Sequence, residues 1–233
     1  LAFQWNEKEG LSLWCDDSPE ATSFRPDGTG GFLVVEQKTR QVARWNERGE
    51  RVEVLVDRFA GKRLNRPNDL RVHPDGSLWF TDPDFLFRQR PEDIKELESQ
   101  NVFRFDPETD QLRATVTNLG KPNGIAFSPK GDRIFLTDAT RKDILTGEVA
   151  ADGTVSELRA FITQSAGGLD GLTVDAQGRL WSAARETVDV YQLDGEHVAE
   201  ISLPSKPTSI AFHESGLVCI TTRDAAFVAQ LNP

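Results

Sequence analysis

The sequence is poor in the residues that build disulfide frameworks, histidine-based sites and membrane spans. Its 233 residues include two cysteines and three histidines, so one disulfide at most can form and two buried thiols are the more common arrangement. Serine–histidine triads and histidine-ligated zinc are poorly supported.

No apolar run approaches the ~18 residues of a membrane-spanning helix. We expect no membrane association, interpret the start at Leu1 as a mature or truncated end, and leave the compartment of this soluble chain open between cytoplasm and periplasm.

Positive charge is also scarce. The chain carries 27 lysines and arginines against 37 acidic residues, a formal net charge of -10, and the acidic residues are scattered along it. Because no basic patch that could follow a phosphate backbone is present, nucleic acid is not an expected partner. The length suits one all-β domain over residues 1–233. Composition does not indicate the oligomeric state.

A repeated turn motif organises the chain. Apolar runs flank the glycine of each copy, as expected for a hairpin of two buried strands. The glycines are 48, 55, 47 and 38 residues apart, close to the roughly 40–50 residues of a four-stranded propeller blade. The pattern predicts an all-β β-propeller. The five copies are Phe24-Arg-Pro-Asp-Gly28, Val72-His-Pro-Asp-Gly76, Phe127-Ser-Pro-Lys-Gly131, Val174-Asp-Ala-Gln-Gly178 and Phe212-His-Glu-Ser-Gly216.

The two ends of the chain fall within the repeat and leave the number of blades open. Residues 1–6 resemble residues 42–46, and residues 226–231 resemble them again. Either the strands of residues 1–15 complete a blade with the C-terminal hairpin, which gives five blades, or an N-terminal inner hairpin is missing and the propeller has six. We favour six blades. Residues 91–99 do not fit the blade pattern and predict a short helix that begins at a proline.

Five polar residues share one position, eight residues before each turn glycine. They are Glu20, Asn68, Asn123, Asp170 and Thr208, and we call them the register residues. Blade symmetry places them at one level of the innermost strands, where an unsatisfied polar group costs several kcal/mol. Carboxylate and amide oxygens suit hard cations such as Ca²⁺, Mg²⁺ or Mn²⁺.

The oxygen-bearing register residues therefore predict a metal site. We predict that Glu20, Asn68, Asn123 and Asp170 bind one divalent metal ion, with Ca²⁺ as the first choice. The alternative is that Asn and Asp form local turns and satisfy nearby backbone groups. Arg66, two residues before Asn68, could hold a hydroxylated or anionic substrate, or it could be a surface arginine.

Four segments closely resemble the SMP-30/gluconolactonase/luciferin-regenerating enzyme family. The resemblance implies a six-bladed propeller with one central divalent cation held by a Glu, an Asn and an Asp. Asn123 and Asp170 match the family's metal-binding residues, and Asn68 and Arg66 match positions that contact substrate or complete the metal shell. The segments are Gly61-Lys-Arg-Leu-Asn-Arg-Pro-Asn-Asp-Leu70, Asp75-Gly-Ser-Leu-Trp-Phe-Thr-Asp-Pro83, Lys121-Pro-Asn-Gly-Ile-Ala-Phe-Ser-Pro129 and Leu169-Asp-Gly-Leu172.

One element of the family pattern is missing. The family's metal-binding Glu lies in a Glu-Gly-Pro motif, which this sequence lacks, so the resemblance does not extend to Glu20. Among metals, Zn²⁺ joins Mg²⁺ and Mn²⁺ as an alternative to Ca²⁺.

The resemblance implies a metal-dependent lactonase that opens a sugar-type lactone, which would be its small-molecule partner. The metal would polarise the ring carbonyl, and Asp170 is the best candidate for a general base that assists water attack. Arg66 and Asn68 would contact the substrate. The alternatives are a calcium- or ligand-binding propeller, or a truncated relative, without turnover, and a propeller that binds proteins through its faces.

Overall fold

A computed structural model of the protein describes residues 1–85, 87, 94–163 and 167–231. The chain divides into two units. Unit 1 comprises residues 1–72 and 76–118, and unit 2 comprises residues 73–75 together with the described residues from 119 onward. Every sheet in both units is antiparallel, with strands that follow each other in sequence paired side by side.

Unit 1 contains two four-stranded sheets and two two-stranded ribbons. The first ribbon is β1 (Ala2–Asn6) and β2 (Gly10–Cys15), and the second is β7 (Arg58–Phe59) and β8 (Lys62–Arg63). One sheet consists of β3 (Ala21–Pro26), β4 (Phe32–Glu36), β5 (Gln41–Trp45) and β6 (Arg51–Val56). The other consists of β9 (Leu70–Val72), β10 (Leu78–Asp82), β11 (Asn101–Asp106) and β12 (Gln111–Val116).

Unit 2 contains two four-stranded sheets and one three-stranded sheet. The first is β13 (Pro122–Phe127), β14 (Arg133–Asp138), β15 (Asp143–Glu148) and β16 (Arg159–Ile162). The second is β17 (Leu172–Val174), β18 (Leu180–Ala184), β19 (Thr187–Tyr191) and β20 (His197–Ser202). The third is β21 (Pro207–Phe212), β22 (Leu217–Thr222) and β23 (Ala226–Gln230).

The repeated turn joins the first and second strands of each sheet. All five turn glycines have φ between 76° and 86°, a left-handed conformation that costs glycine nothing and strains other residues. The turn after β9, for example, brings Leu70 opposite Phe80 and Val72 opposite Leu78. The motif therefore marks the hairpins as predicted.

Stacking of the sheets buries the second strands on both faces. All residues of β10 and β18 are buried, whereas the outer strands β6 and β20 are largely exposed. In unit 1 one apolar cluster, which includes Leu33, Phe80 and Phe103, draws on both four-stranded sheets. In unit 2 two clusters join each sheet to the next. Sheets stacked in this way are the blades of a β-propeller.

The all-β propeller class is confirmed, with five blade sheets. The sixth blade that we favoured is not confirmed. Both cysteines are free and half-buried, which departs from the expectation of buried thiols only in degree. No helix among the described residues is long and apolar enough to cross a membrane.

The predicted helix over residues 91–99 is wrong for its described part. Residues 91–93 lie outside the described residues, and residues 94–99 are not helical. The Ile94 carbonyl accepts a hydrogen bond from Arg40 Nη1 at 2.9 Å, and Leu97 is buried in the core of unit 1. These tertiary contacts replace the hydrogen bonds of a helix.

Candidate active site

The register residues begin the first strand of each blade. Glu20 directly precedes β3, Asn68 and Asp170 each lie two residues before their strands, and Asn123 and Thr208 are the second residues of theirs. The amide of Asn68 donates to the Thr81 carbonyl, and that of Asp170 donates to the Ala183 carbonyl, both at 2.9 Å. The two residues thus hold the same position relative to the second strand, as predicted.

In unit 2 the beginnings of three neighbouring first strands lie directly against one another. The Gly171 amide donates to the Thr208 carbonyl at 2.9 Å. The Thr137 hydroxyl accepts from the Gly124 amide at 2.7 Å and donates to the Asp170 carbonyl at 2.8 Å. A Cβ on Gly124 would stand 2.5 Å from that carbonyl oxygen. Glycine after the register residue therefore permits the close approach that fixes the Asp170 backbone.

The Asp170 carboxylate forms an ion pair with Lys206. Lys206 Nζ lies 2.9 Å from Asp170 Oδ2. The two side chains are 26% and 23% exposed, so solvent and small molecules can reach both charges. Asn123, which begins the adjacent strand β13, is 7% exposed. Unit 2 thus presents a reachable carboxylate beside a nearly buried amide-bearing residue.

Unit 1 contains a corresponding ion pair. Arg66 Nη2 lies 2.5 Å from Glu20 Oε2, and the arginine side chain is fully buried while that of Glu20 is 30% exposed. The Thr22 hydroxyl donates to the Asn68 carbonyl at 2.7 Å, which joins the beginnings of β3 and β9. Because Arg66 is buried, its interpretation as a surface arginine is wrong, whereas its contact with substrate stays a prediction.

The two ion pairs share one arrangement. Arg66 stands two residues before Asn68, and Lys206 stands two residues before Thr208. Each cation binds the acidic register residue of the preceding blade within its unit. Sequence reasoning singled out Arg66 and passed over Lys206, although both occupy the same position of the repeat.

Carboxylates at the ends of two second strands support the loops that lead to the register residues. Asp82, the last residue of β10, accepts a hydrogen bond from the Asn65 amide at 2.8 Å. Asp138, the last residue of β14, accepts from the Gly120 and Lys121 amides at 2.8 and 3.0 Å. Burial raises the pKa of Asp82 to about 7, although backbone donors and the nearby Arg40 oppose this rise. No pattern in the sequence singled out these two aspartates.

The donor atoms of unit 2 fit a hard divalent cation. Asp170 and Asn123 begin adjacent strands and supply carboxylate and amide oxygens, and the Asp170 carboxylate already holds a positive charge, the Lys206 ammonium. Within the described ranges, no group of three or more His, Cys, Asp and Glu side chains could hold a metal ion, so amide oxygens would have to take part. Participation of Glu20 and Asn68, which belong to unit 1, stays a prediction.

A family model and two similar proteins show the family of the chain. A family model described as "SMP-30/Gluconolactonase/LRE-like region" matches residues 2–223. The gluconolactonase of Zymomonas mobilis is 30% identical over 91% of this chain and 67% of its own length. The L-arabinolactonase of Azospirillum brasilense is 30% identical over 95% of this chain and 76% of its own.

A solved structure shows the same similarity. The gluconolactonase XC5397 of Xanthomonas campestris superimposes with a TM-score of 0.89 at 30% identity, over 97% of this chain and 77% of that one. The chain therefore spans about two thirds to three quarters of the length of these relatives.

Proposed function

We propose that this chain, which belongs to the SMP-30/gluconolactonase/LRE-like family, hydrolyses a sugar-type lactone to the corresponding hydroxy acid. Relatives over most of its length are named gluconolactonase and L-arabinolactonase. The observation that carries the proposal is the Asp170 carboxylate, which is reachable from solvent while its backbone is fixed by hydrogen bonds to Ala183 and Thr137.

Asp170 is the group that we expect to move the proton. A carboxylate held at a fixed position can take a proton from water as the water oxygen adds to the ring carbonyl carbon. The bond between that carbon and the ring oxygen then breaks, the proton passes to the ring oxygen, and the products are a carboxylic acid and a hydroxyl group. The close packing at Gly124 and Gly171 keeps the Asp170 backbone in place during this step.

A divalent cation would assist the same reaction. Asp170 and Asn123 would hold it, with Ca²⁺ favoured by the oxygen donors and Mg²⁺, Mn²⁺ and Zn²⁺ as alternatives. When bound, such an ion polarises the ester carbonyl and stabilises the developing oxyanion. In unit 1 we expect Asn68 and the partly exposed Glu20 carboxylate to bind sugar hydroxyls, while Arg66 holds Glu20 in position.

The proposal is tested by proton release from glucono-δ-lactone and from five-carbon sugar lactones, measured above the spontaneous rate. Protein stripped with a chelator should hydrolyse these lactones slowly and should regain activity when Ca²⁺, Mg²⁺, Mn²⁺ or Zn²⁺ is added. If an added ion binds but no lactone in the panel is hydrolysed, the enzymatic proposal fails and a non-catalytic, ion-binding propeller takes its place.

A further inference from the structure

The Asp170 carboxylate is the point at which two different cations would compete. The proposed function assigns this carboxylate to a divalent ion, yet in the structure Asp170 Oδ2 accepts a hydrogen bond from Lys206 Nζ at 2.9 Å. Two positive charges on one carboxylate repel each other, and the low exposure of the pair weakens the screening of that repulsion by water. The ammonium and the divalent ion should therefore exclude each other.

The corresponding ion pair of unit 1, between Arg66 and Glu20, has less freedom to separate. The Arg66 guanidinium is fully buried against Glu20, and its planar, rigid donors leave little freedom to rearrange. Lys206 carries one ammonium on a flexible stem and is 26% exposed, so it can turn out to water without leaving a buried charge behind. The Lys206 pair is thus the one that can open.

We propose that Lys206 is a tethered counter-ion of Asp170, which leaves the carboxylate when a divalent cation binds and thereby sets the affinity for that cation. The inference rests on the ion site of the proposed function. Without the ion, Lys206 neutralises Asp170 and links the segments that begin β17 and β21. With the ion, it is free to contact the solvent or the carboxylate of a hydroxy acid product.

The experiment measures ion binding, and no substrate is needed. The full chain is stripped with a chelator and titrated with Ca²⁺ and with Mn²⁺ by calorimetry. Lys206→Met should lower the Kd about tenfold, because the competing charge is gone. Lys206→Arg keeps the charge and should not tighten binding. Lys130→Met removes the same charge from an exposed turn of unit 2 and should leave the Kd within about twofold of the parent value.

Thermal unfolding gives a second, independent measurement. Lys206→Met should lower the Tm of the ion-free protein, since the ion pair between Lys206 and Asp170 is lost, and should increase the rise in Tm that saturating Ca²⁺ produces. If the methionine variant fails to fold, Lys206→Gln replaces it in both measurements.

Equal or weaker ion binding by the uncharged variants would overturn the inference, as would the absence of binding in every protein tested. Failure of the proposed function is recognised separately. Tighter binding by Lys206→Met without any lactone turnover leaves the counter-ion inference standing and removes the lactonase. Lactone turnover by a protein that binds no divalent ion removes the counter-ion inference and leaves the lactonase standing.

Discussion

Asp82 should make the stability of unit 1 fall as pH rises, the opposite of the usual behaviour of a carboxylate. The side chain is fully buried at the end of β10, and burial raises its pKa from the ordinary value of 3.8 to about 7. Between these two values the folded chain binds a proton that the unfolded chain has released. The free energy of unfolding therefore decreases through this window, and the full loss is reached above pH 7.

The magnitude follows from the size of the pKa shift. A rise from 3.8 to about 7 is about three units, and at ~1.36 kcal/mol per unit the loss is at most about 4 kcal/mol. Asp82→Asn imitates the neutral acid and keeps an oxygen that can accept the hydrogen bond from the Asn65 amide. The variant should match the parent near pH 4 and exceed its stability by up to about 4 kcal/mol at pH 8.

Urea unfolding followed by tryptophan fluorescence measures this difference at pH 4, 6 and 8. Other carboxylates titrate in both proteins, so subtracting one curve from the other isolates Asp82. Asp17→Asn, an exposed acidic site in the same unit, should show no such trend and serves as the control. A difference between Asp82→Asn and the parent that stays constant with pH, or that shrinks as pH rises, would refute the reasoning.

Three further predictions concern the site itself. Asp170→Asn should lower kcat/KM for the lactone by roughly 10²–10⁴-fold, measured by proton release. Gly124→Ala should cost about 1–3 kcal/mol of stability, because its Cβ meets the Asp170 carbonyl; an unchanged Tm would contradict this. Arg66→Met should destabilise the chain by roughly 1–3 kcal/mol, and adding Glu20→Gln should recover part of the loss, whereas strictly additive effects would show that the two charges are uncoupled.

The blade architecture could be predicted because each repeat contains a turn whose local backbone conformation requires a particular residue. A turn that needs positive φ selects glycine, as at Gly76 with φ 86°, and apolar runs on both sides mark the paired strands. Counting eight residues back from these glycines then located the strand beginnings correctly, including Asp170 and Asn123. Local patterns of this kind predict the sheets correctly because strands that are neighbours in sequence also pair with each other.

The features that were missed depend on tertiary contacts. Nothing in the local pattern of residues 94–99 shows that Arg40 binds the Ile94 carbonyl or that Leu97 enters the core. Likewise, the reach of Lys206 to Asp170 spans two blades, so only comparison of equivalent positions could have revealed it. The number of blades could not be fixed from local patterns because the two ends of the chain fall within the repeat.

The role of Asp170 in lactone hydrolysis is tested most directly by comparing the parent protein, Asp170→Asn and Glu214→Gln under identical ion concentrations. Glu214 is an exposed acidic residue of a turn in unit 2, so its variant removes a charge without touching the site. We predict that the parent and Glu214→Gln hydrolyse glucono-δ-lactone or a five-carbon lactone equally well, while the activity of Asp170→Asn falls by roughly 10²–10⁴-fold. Full activity in folded Asp170→Asn would contradict this prediction.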